Sequence, residues 1–166
     1  MAIDQLVQPL LGVELFQGLK PLQITEIARR ADRIVFRPGD VIVAEDTMGD
    51  AAILIVAGDA ARVSGPGCAG EDEPVVPGSL VGEMAMLVDA VHSSTVVARS
   101  AVRALRISRT ELLEQMEADP ALAEHFVARI SGRLSRLAAE LRAVDAALDQ
   151  SSRDVTTVRQ SVKTYH

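Results

Sequence analysis

The spacing of apolar positions changes twice along the chain and divides it into three parts. Up to residue 31 the apolar residues recur three to five apart, which predicts helices, and Pro9 and the stretch 18–21 are expected to break them. From residue 32 to 107 the pattern changes to short β-rich runs separated by glycine turns. After Ile107 the helical spacing returns. The sequence therefore predicts an α+β protein in which helices precede and follow a β-rich region along the chain.

The central part contains seven short runs typical of β-strands. Turn signals such as Pro38-Gly39, Gly49-Asp50 and Gly58-Asp59 separate them. Many short strands at this spacing are typical of a rolled antiparallel sheet, so we expect a jelly-roll-like β-roll of about eight strands. The glycine-rich, acidic stretch 64–73 is expected to be an exposed, mobile hairpin tip. The runs are Ile34–Phe36, Val41–Ala44, Ile53–Val56, Ala60–Val63, Val75–Val76, Thr95–Ala98 and Val102–Ile107.

Two helix start signals follow the β-rich part. Ser108 and Glu111 have the spacing in which each side chain caps the backbone N–H of the other. Asp119-Pro120 is a second start, because Asp accepts from the first turn and proline's missing N–H costs nothing there. We expect a long helix from this point to about residue 150, and a polar, frayed tail over 151–166.

The long helix carries a continuous apolar seam at alternating spacings of three and four, the pattern of a coiled coil. A small β-roll cannot bury the whole of such a seam, so we expect a homodimer through the matching helix of a second copy. The alternative is a helix buried in the core of its own chain. The seam residues are Val127, Ile130, Leu134, Leu137, Leu141, Val144 and Leu148.

Length and composition restrict the classes of partner. The chain of 166 residues fits one domain, which we place at 1–150, with helices at 1–31, the roll at 32–107 and C-terminal helices at 108–150. A net charge of -6 and only four aromatic residues argue against direct nucleic-acid binding. No apolar run approaches the roughly 20 residues of a membrane span. The acidic N-terminus is unlike a secretory signal, so we expect a cytoplasmic protein that does not bind membranes.

No arrangement of residues typical of an enzyme is found, and no cofactor is expected. The three histidines, His92, His125 and His166, are too few and too scattered for a catalytic metal site in a β-roll. The lone Cys68 lies in a glycine-rich loop with no histidine nearby, and Ser93 lies in no nucleophile elbow. We therefore expect a binding module.

The segment 77–98 carries the most informative pattern. Gly82 and Glu83 open a short apolar helical turn inside a β-rich region. Such a turn exposes backbone N–H groups, which suit an anion, beside a carboxylate, which suits a hydroxyl. A ligand with both a phosphate and a sugar satisfies both groups.

This segment resembles the phosphate-binding cassette of the cyclic-nucleotide-binding domain family, and the resemblance extends from about Leu15 to Leu141. Glycine-marked segments at 15–19, 36–40 and 53–58 fall where that family has its first helix, first hairpin and turns. The resemblance implies N-terminal helices, an eight-stranded β-roll that holds a short cassette helix, and one or two C-terminal helices. It also implies a cyclic-nucleotide ligand.

The resemblance also implies site residues. Glu83 matches the glutamate that holds the ribose 2′-hydroxyl, whereas His92 stands where the family has an arginine that pairs with the cyclic phosphate. A guanidinium offers a fixed fork of donors, and an imidazole does not. Losing one or two charge-assisted hydrogen bonds weakens binding roughly ten- to several-thousand-fold. The matching positions are Gly82, Glu83, Met84, Ala85, His92, Ser93 and Ser94.

Two functions from different classes remain open. The first is a sensor that binds cyclic AMP or a related small anion weakly and signals to an unknown downstream protein, with a hinge near residues 118–122. Arg62, Arg99 or Arg103 could then replace the missing arginine, the alternative being that all three face solvent. The second function is a ligand-free dimerisation or scaffold module. A transcription regulator is disfavoured, because the 16 residues after Gln150 are too few for a helix-turn-helix.

Overall fold

The computed structural model describes residues 2–64 and 71–163, with the side chains of 5–64 and 71–153. Its contacts divide the chain into two units, Met1–His125 and Phe126–His166. The tip of the predicted hairpin with Cys68, and the terminal His166, lie outside the described residues.

The N-terminal part is helical, as predicted. It consists of helix α1 (Ala2–Leu11), a 3-10 turn (Glu14–Phe16) and helix α2 (Pro21–Arg30). The expected break at Pro9 is wrong, because α1 continues through it. Proline has a helical φ, and Pro9 lies only two residues before the end of α1, so the helix is close to its end where the proline crowds the preceding turn.

Ten strands occur in the described residues, two more than the expected eight or so. Three strands were not predicted, and each has only two residues, too few to show an alternating pattern. The strands are β1 (Asp32–Phe36), β2 (Val41–Val43), β3 (Met48–Gly49), β4 (Ala51–Ala57), β5 (Ala60–Val63), β6 (Glu73–Val75), β7 (Leu80–Val81), β8 (Ala90–Val91), β9 (Thr95–Ala98) and β10 (Val102–Ser108).

The strands form two four-stranded antiparallel sheets and one short pair. The sheet orders are β1-β10-β4-β7 and β2-β9-β5-β6, and β3 pairs with β8. A buried core cluster combines side chains from both large sheets, among them Ile55 of β4 and Val96 of β9. The expected α+β architecture with an antiparallel β-roll is confirmed.

Both predicted helix starts are present. Helix α3 (Arg109–Ala118) begins after Ser108, whose Oγ accepts from the Glu111 backbone N–H at 3.2 Å. The second half of the expected capping box is absent, because the Glu111 carboxylate accepts a 3.3 Å hydrogen bond from Arg30. Helix α4 (Pro120–Lys163) begins after Asp119, whose Oδ1 accepts from the Ala121 N–H at 3.1 Å.

Helix α4 is longer than expected. The predicted frayed tail from residue 151 is wrong, since the helix continues to Lys163. The sequence beyond Gln150 contains no proline or glycine, and Val155, Val158 and Val162 continue the seam spacing after Leu148. For the segment after Gln150, the continued apolar spacing therefore indicated the helix better than the polar composition indicated a frayed tail. The proposed single domain over 1–150 stays a prediction.

Candidate functional site

A cavity of about 270 Å³ lies beside the cassette segment. All seven residues predicted for the ligand site line it, and they come from both ends of that segment. The volume is close to the lower end of the ~300–1,000 Å³ typical of small-molecule pockets. The remaining lining residues, which the resemblance did not supply, are Val43, Arg62, Leu80, Val81, Ala90 and Val91.

Gly82 sets the geometry of the cassette. Its φ of 66° and ψ of 36° are left-handed, a conformation that glycine adopts without steric cost. This turn ends β7 and starts the short 3-10 helix Glu83–Met86, in which the Ala85 N–H donates to the Gly82 carbonyl at 3.0 Å. Ala85 and Met86 are buried and anchor the turn, whereas Glu83 is half-buried and lines the cavity.

His92 fills a narrow slot between two glycines. A Cβ on Gly49 would lie 2.7 Å from His92 Nε2, and a Cβ on Gly82 would lie 2.7 Å from His92 Cε1. The imidazole therefore packs directly on the backbone of both residues, and only glycine leaves it room. Gly49 was expected to be a turn glycine, but it lies in β3, and its lack of a side chain provides space for the ring.

Arg62 supplies the cationic side chain of the cavity. Its Nε donates to Ser94 Oγ at 3.1 Å, and its Nη1 lies 3.0 Å from Glu73 Oε2. The other two candidate arginines lie elsewhere: Arg99 pairs with Asp72 at 2.9 Å, and Arg103 lines a separate cavity together with residues of α1. Of the three arginines considered from sequence, the structure brings only Arg62 to the predicted site.

Helix α3 is tied to the end of the cassette by its first residue. Arg109 Nη1 donates to the Val88 carbonyl at 2.8 Å, and Nη2 lies 2.8 Å from Asp89 Oδ1. The backbone N–H of Arg109 also donates to the Asp50 carbonyl at 2.8 Å. The segment that follows the cassette helix is therefore bonded directly to the start of α3. Sequence reasoning missed this link, because it depends on residues far apart in the chain.

The end of α3 is held by helix α2. Gln23 Nε2 donates to Asp119 Oδ2 at 2.9 Å, and Gln115 Nε2 donates to the Gln23 carbonyl at 3.1 Å. The hydrogen bond from Gln23 is the main reason why the pKa of Asp119 is lowered; the Leu122 and Ala121 backbone N–H groups and the charge of Lys20 add to it, and desolvation opposes it. The predicted hinge at 118–122 thus lies at a junction held by specific hydrogen bonds.

Other kinds of site were sought in the described residues. No group of three or more His, Cys, Asp or Glu side chains there is arranged to hold a metal ion. His125 lies apart from the cavity lining, and its Nε2 is 2.9 Å from the Leu15 carbonyl. None of the described helices has the length and hydropathy required to cross a membrane.

Comparisons with known proteins agree with the fold and the cassette. A family model described as "Cyclic nucleotide-binding domain" matches residues 33–119. A cAMP-dependent protein kinase regulatory subunit of Aspergillus niger is 32% identical over 97 residues, which are 58% of this chain and 23% of that protein. The chain thus spans about a quarter of the length of this curated relative.

Two solved structures have a similar fold. A cyclic nucleotide-binding-like protein from Brucella abortus is 30% identical with a TM-score of 0.63, and the match covers 69% of this chain and 99% of that one. The Thermus thermophilus catabolite activator protein is 25% identical with a TM-score of 0.61, and the match covers 79% and 62%. With the family match over residues 33–119, these similarities show that the chain belongs to the cyclic nucleotide-binding domain family.

Proposed function

We propose that the chain is a non-enzymatic sensor module that binds cyclic AMP or a related small anion weakly in the β-roll and signals through a dimeric C-terminal helix. One observation carries the proposal. The seven residues predicted for phosphate and ribose contacts, Gly82 to Ala85 and His92 to Ser94, line the same cavity.

The arrangement suits the two ends of a cyclic nucleotide. Glu83, at the start of the cassette helix, supplies a carboxylate for a ribose hydroxyl. Ser93 and Ser94 lie at the other end of the segment and supply hydroxyl groups for a phosphate. His92 packs between glycines, so it offers less to an anion than an extended guanidinium does. We therefore propose weaker binding than an arginine at this position would give.

Signalling is proposed to pass from the cassette to helix α3 and the hinge. Arg109 links Val88 and Asp89 to the first turn of α3, and the other end of α3 meets α2 through the bond from Gln23 to Asp119. A ligand that moves the end of the cassette changes the position of α3. An unknown downstream protein would respond to the resulting shift.

Dimerisation is proposed through the seam on helix α4. Six of its seven side chains are exposed, for example Leu134 at 60% and Leu141 at 66%. The described residues of the second unit belong to this helix alone, so among them no other element covers the stripe. A matching helix from a second copy would bury it.

Sedimentation velocity of the variant Leu137→Asp/Leu141→Asp tests the dimer. We expect a dimeric wild type and a monomeric variant, because the two carboxylates would face each other in an apolar seam. The matched control is Ala139→Asp/Ala146→Asp, with both changes on the opposite side of the helix, and it should remain dimeric. A wild type that is monomeric at micromolar concentration would contradict this part of the proposal alone.

Calorimetric titration with cyclic AMP, cyclic GMP and 2′-deoxy cyclic AMP tests the ligand. We expect one saturable site per chain, and roughly tenfold or greater weakening for the 2′-deoxy compound, since it lacks a hydrogen bond to the Glu83 carboxylate. No heat at millimolar ligand, with either wild type or His92→Arg, would contradict the sensor and favour the ligand-free scaffold. The packing of His92 between Gly49 and Gly82 is the observation that favours this ligand-free alternative.

A further inference from the structure

Arg62 lies on the inward-facing side of its strand. Alternate residues of a strand share a face, so Arg62 points to the same side as Ala60, a member of the buried core cluster. The Arg62 side chain is nevertheless 43% exposed, so its charge is partly hydrated. Because Arg62 also lines the ligand cavity, its guanidinium is placed at the edge where the core opens to the site.

The contacts of Arg62 leave a pair of donors for an anion. The Arg62 Nε–H donates to Ser94 Oγ at 3.1 Å, so the oxygen acts as an acceptor and the hydroxyl hydrogen is left to donate. Ser94 is one of the positions at which the cyclic phosphate is expected. The Ser94 O–H and an Arg62 Nη–H can therefore donate to the same anion.

The guanidinium of Arg62 already forms an ion pair with a carboxylate of the protein. Glu73 lies directly opposite Arg62 on the neighbouring strand β6, and its Oε2 is 3.0 Å from Arg62 Nη1. The Glu73 side chain is 67% exposed, so it can turn into solvent when a ligand takes its place. Exposed ion pairs are weak, and breaking this one should reduce ligand affinity by about fivefold at most.

We propose that Arg62 is the anion-binding cation of this pocket, in place of the arginine missing at position 92, and that Glu73 holds the guanidinium until a ligand displaces it. This inference rests on the proposed function. In the described lining Arg62 is balanced by the carboxylate of Glu83. A single arginine beside a carboxylate favours a singly charged anion, so a cyclic phosphodiester should bind better than the dianionic monophosphate.

The test is calorimetric titration of the whole chain with cyclic AMP and with AMP, for wild type and three variants. Arg62→Gln should weaken cyclic AMP binding about 10- to 150-fold, the effect of losing a charge-assisted hydrogen bond. Glu73→Gln should strengthen binding by up to about fivefold, because the competitor is removed. AMP should bind more weakly than cyclic AMP to the wild type.

Arg99→Gln is the matched control. Arg99 is 46% exposed and forms an ion pair with Asp72, the neighbour of Glu73, yet it does not line the cavity. Its loss removes a comparable ion pair and a comparable charge, so cyclic AMP affinity should change less than twofold. Thermal unfolding of each variant checks that the fold is retained.

The outcomes separate the inference from the proposed function. Wild-type binding that survives Arg62→Gln unchanged, or that falls equally with Arg99→Gln, overturns the role of Arg62 and leaves the sensor function intact. If the wild type gives no heat with cyclic AMP but Glu73→Gln binds it, the inference is supported. Silence of wild type, Glu73→Gln and His92→Arg at millimolar cyclic AMP overturns the proposed function and this inference with it.

Discussion

The β-roll and the long C-terminal helix are both rich in apolar residues, but they use them differently. In the roll, Leu54 and Ile55 are completely buried between elements of the same chain. On the helix, Leu141 and Leu148 are more than 60% exposed. The roll thus buries its apolar side chains within the chain, whereas most of the apolar stripe on the helix is exposed. Under the proposed function, ligand recognition would therefore depend on the roll and assembly on the helix.

The largest effect on stability is expected for Leu54→Ala. Removing a fully buried leucine side chain leaves a cavity and should lower the free energy of unfolding by about 2–5 kcal/mol. Leu141→Ala is the counterpart on the helix, and in dilute, monomeric protein it should cost less than about 1 kcal/mol. Urea unfolding at two protein concentrations measures both. Equal losses in dilute protein would contradict the difference between the two regions.

A smaller effect, with opposite signs in the two regions, is expected when alanine replaces glycine. Gly82→Ala should destabilise the roll by about 1–3 kcal/mol, because a left-handed φ is imposed on alanine and its Cβ meets His92. Gly132→Ala should stabilise the helix by up to about 1 kcal/mol, since nothing lies within 4 Å of the new Cβ.

Thermal unfolding of these two variants gives the comparison. Gly82→Ala in a His92→Ala background is the control for backbone strain alone, because the ring that the new Cβ would meet is then absent. In that background the substitution should cost less than in the wild type. If the cost is the same in both backgrounds, the contact between His92 and Gly82 contributes nothing, and the account of the slot is wrong.

The smallest effect is expected for Asp119→Asn at the junction with the helix. The hydrogen bond from Gln23, with the backbone N–H groups and Lys20, holds the pKa of Asp119 below its ordinary value of 3.8. Stability from this ionised carboxylate is complete above that value and is lost as the pH falls through the lower folded-state pKa. The stability difference between wild type and variant should thus shrink below about pH 4 in acid unfolding curves. A stability difference between wild type and variant that does not change with pH would contradict this role of Asp119.

The sequence predicted the fold well because local signals agreed with each other. The Ser108 and Asp119 caps, for example, are read over a few residues, and the structure confirms both helix starts. Two-residue strands such as Leu80–Val81 give no periodic signal and were missed. The length of the helix beyond Gln150 was underestimated, because the polar residues of this segment mask the valines that recur at the seam spacing.

The site was only partly predictable for a different reason. The cassette residues lie within thirteen positions of each other, so one segment revealed them. Arg62 reaches the cavity from another strand, and Glu73, which forms an ion pair with Arg62, lies on a third. Only the pairing of β5 with β9 shows that Arg62 lies beside the end of the cassette segment, where it donates a hydrogen bond to Ser94; this distinguishes it from Arg99.

The most direct test of the central claim is calorimetric titration of the wild-type chain with cyclic AMP. We predict a saturable signal with one site per chain, roughly tenfold or more weaker in Arg62→Gln than in wild type and unchanged in Arg99→Gln. No heat at millimolar cyclic AMP from wild type, His92→Arg and Glu73→Gln alike, in samples shown by thermal unfolding to be folded, would contradict the claim.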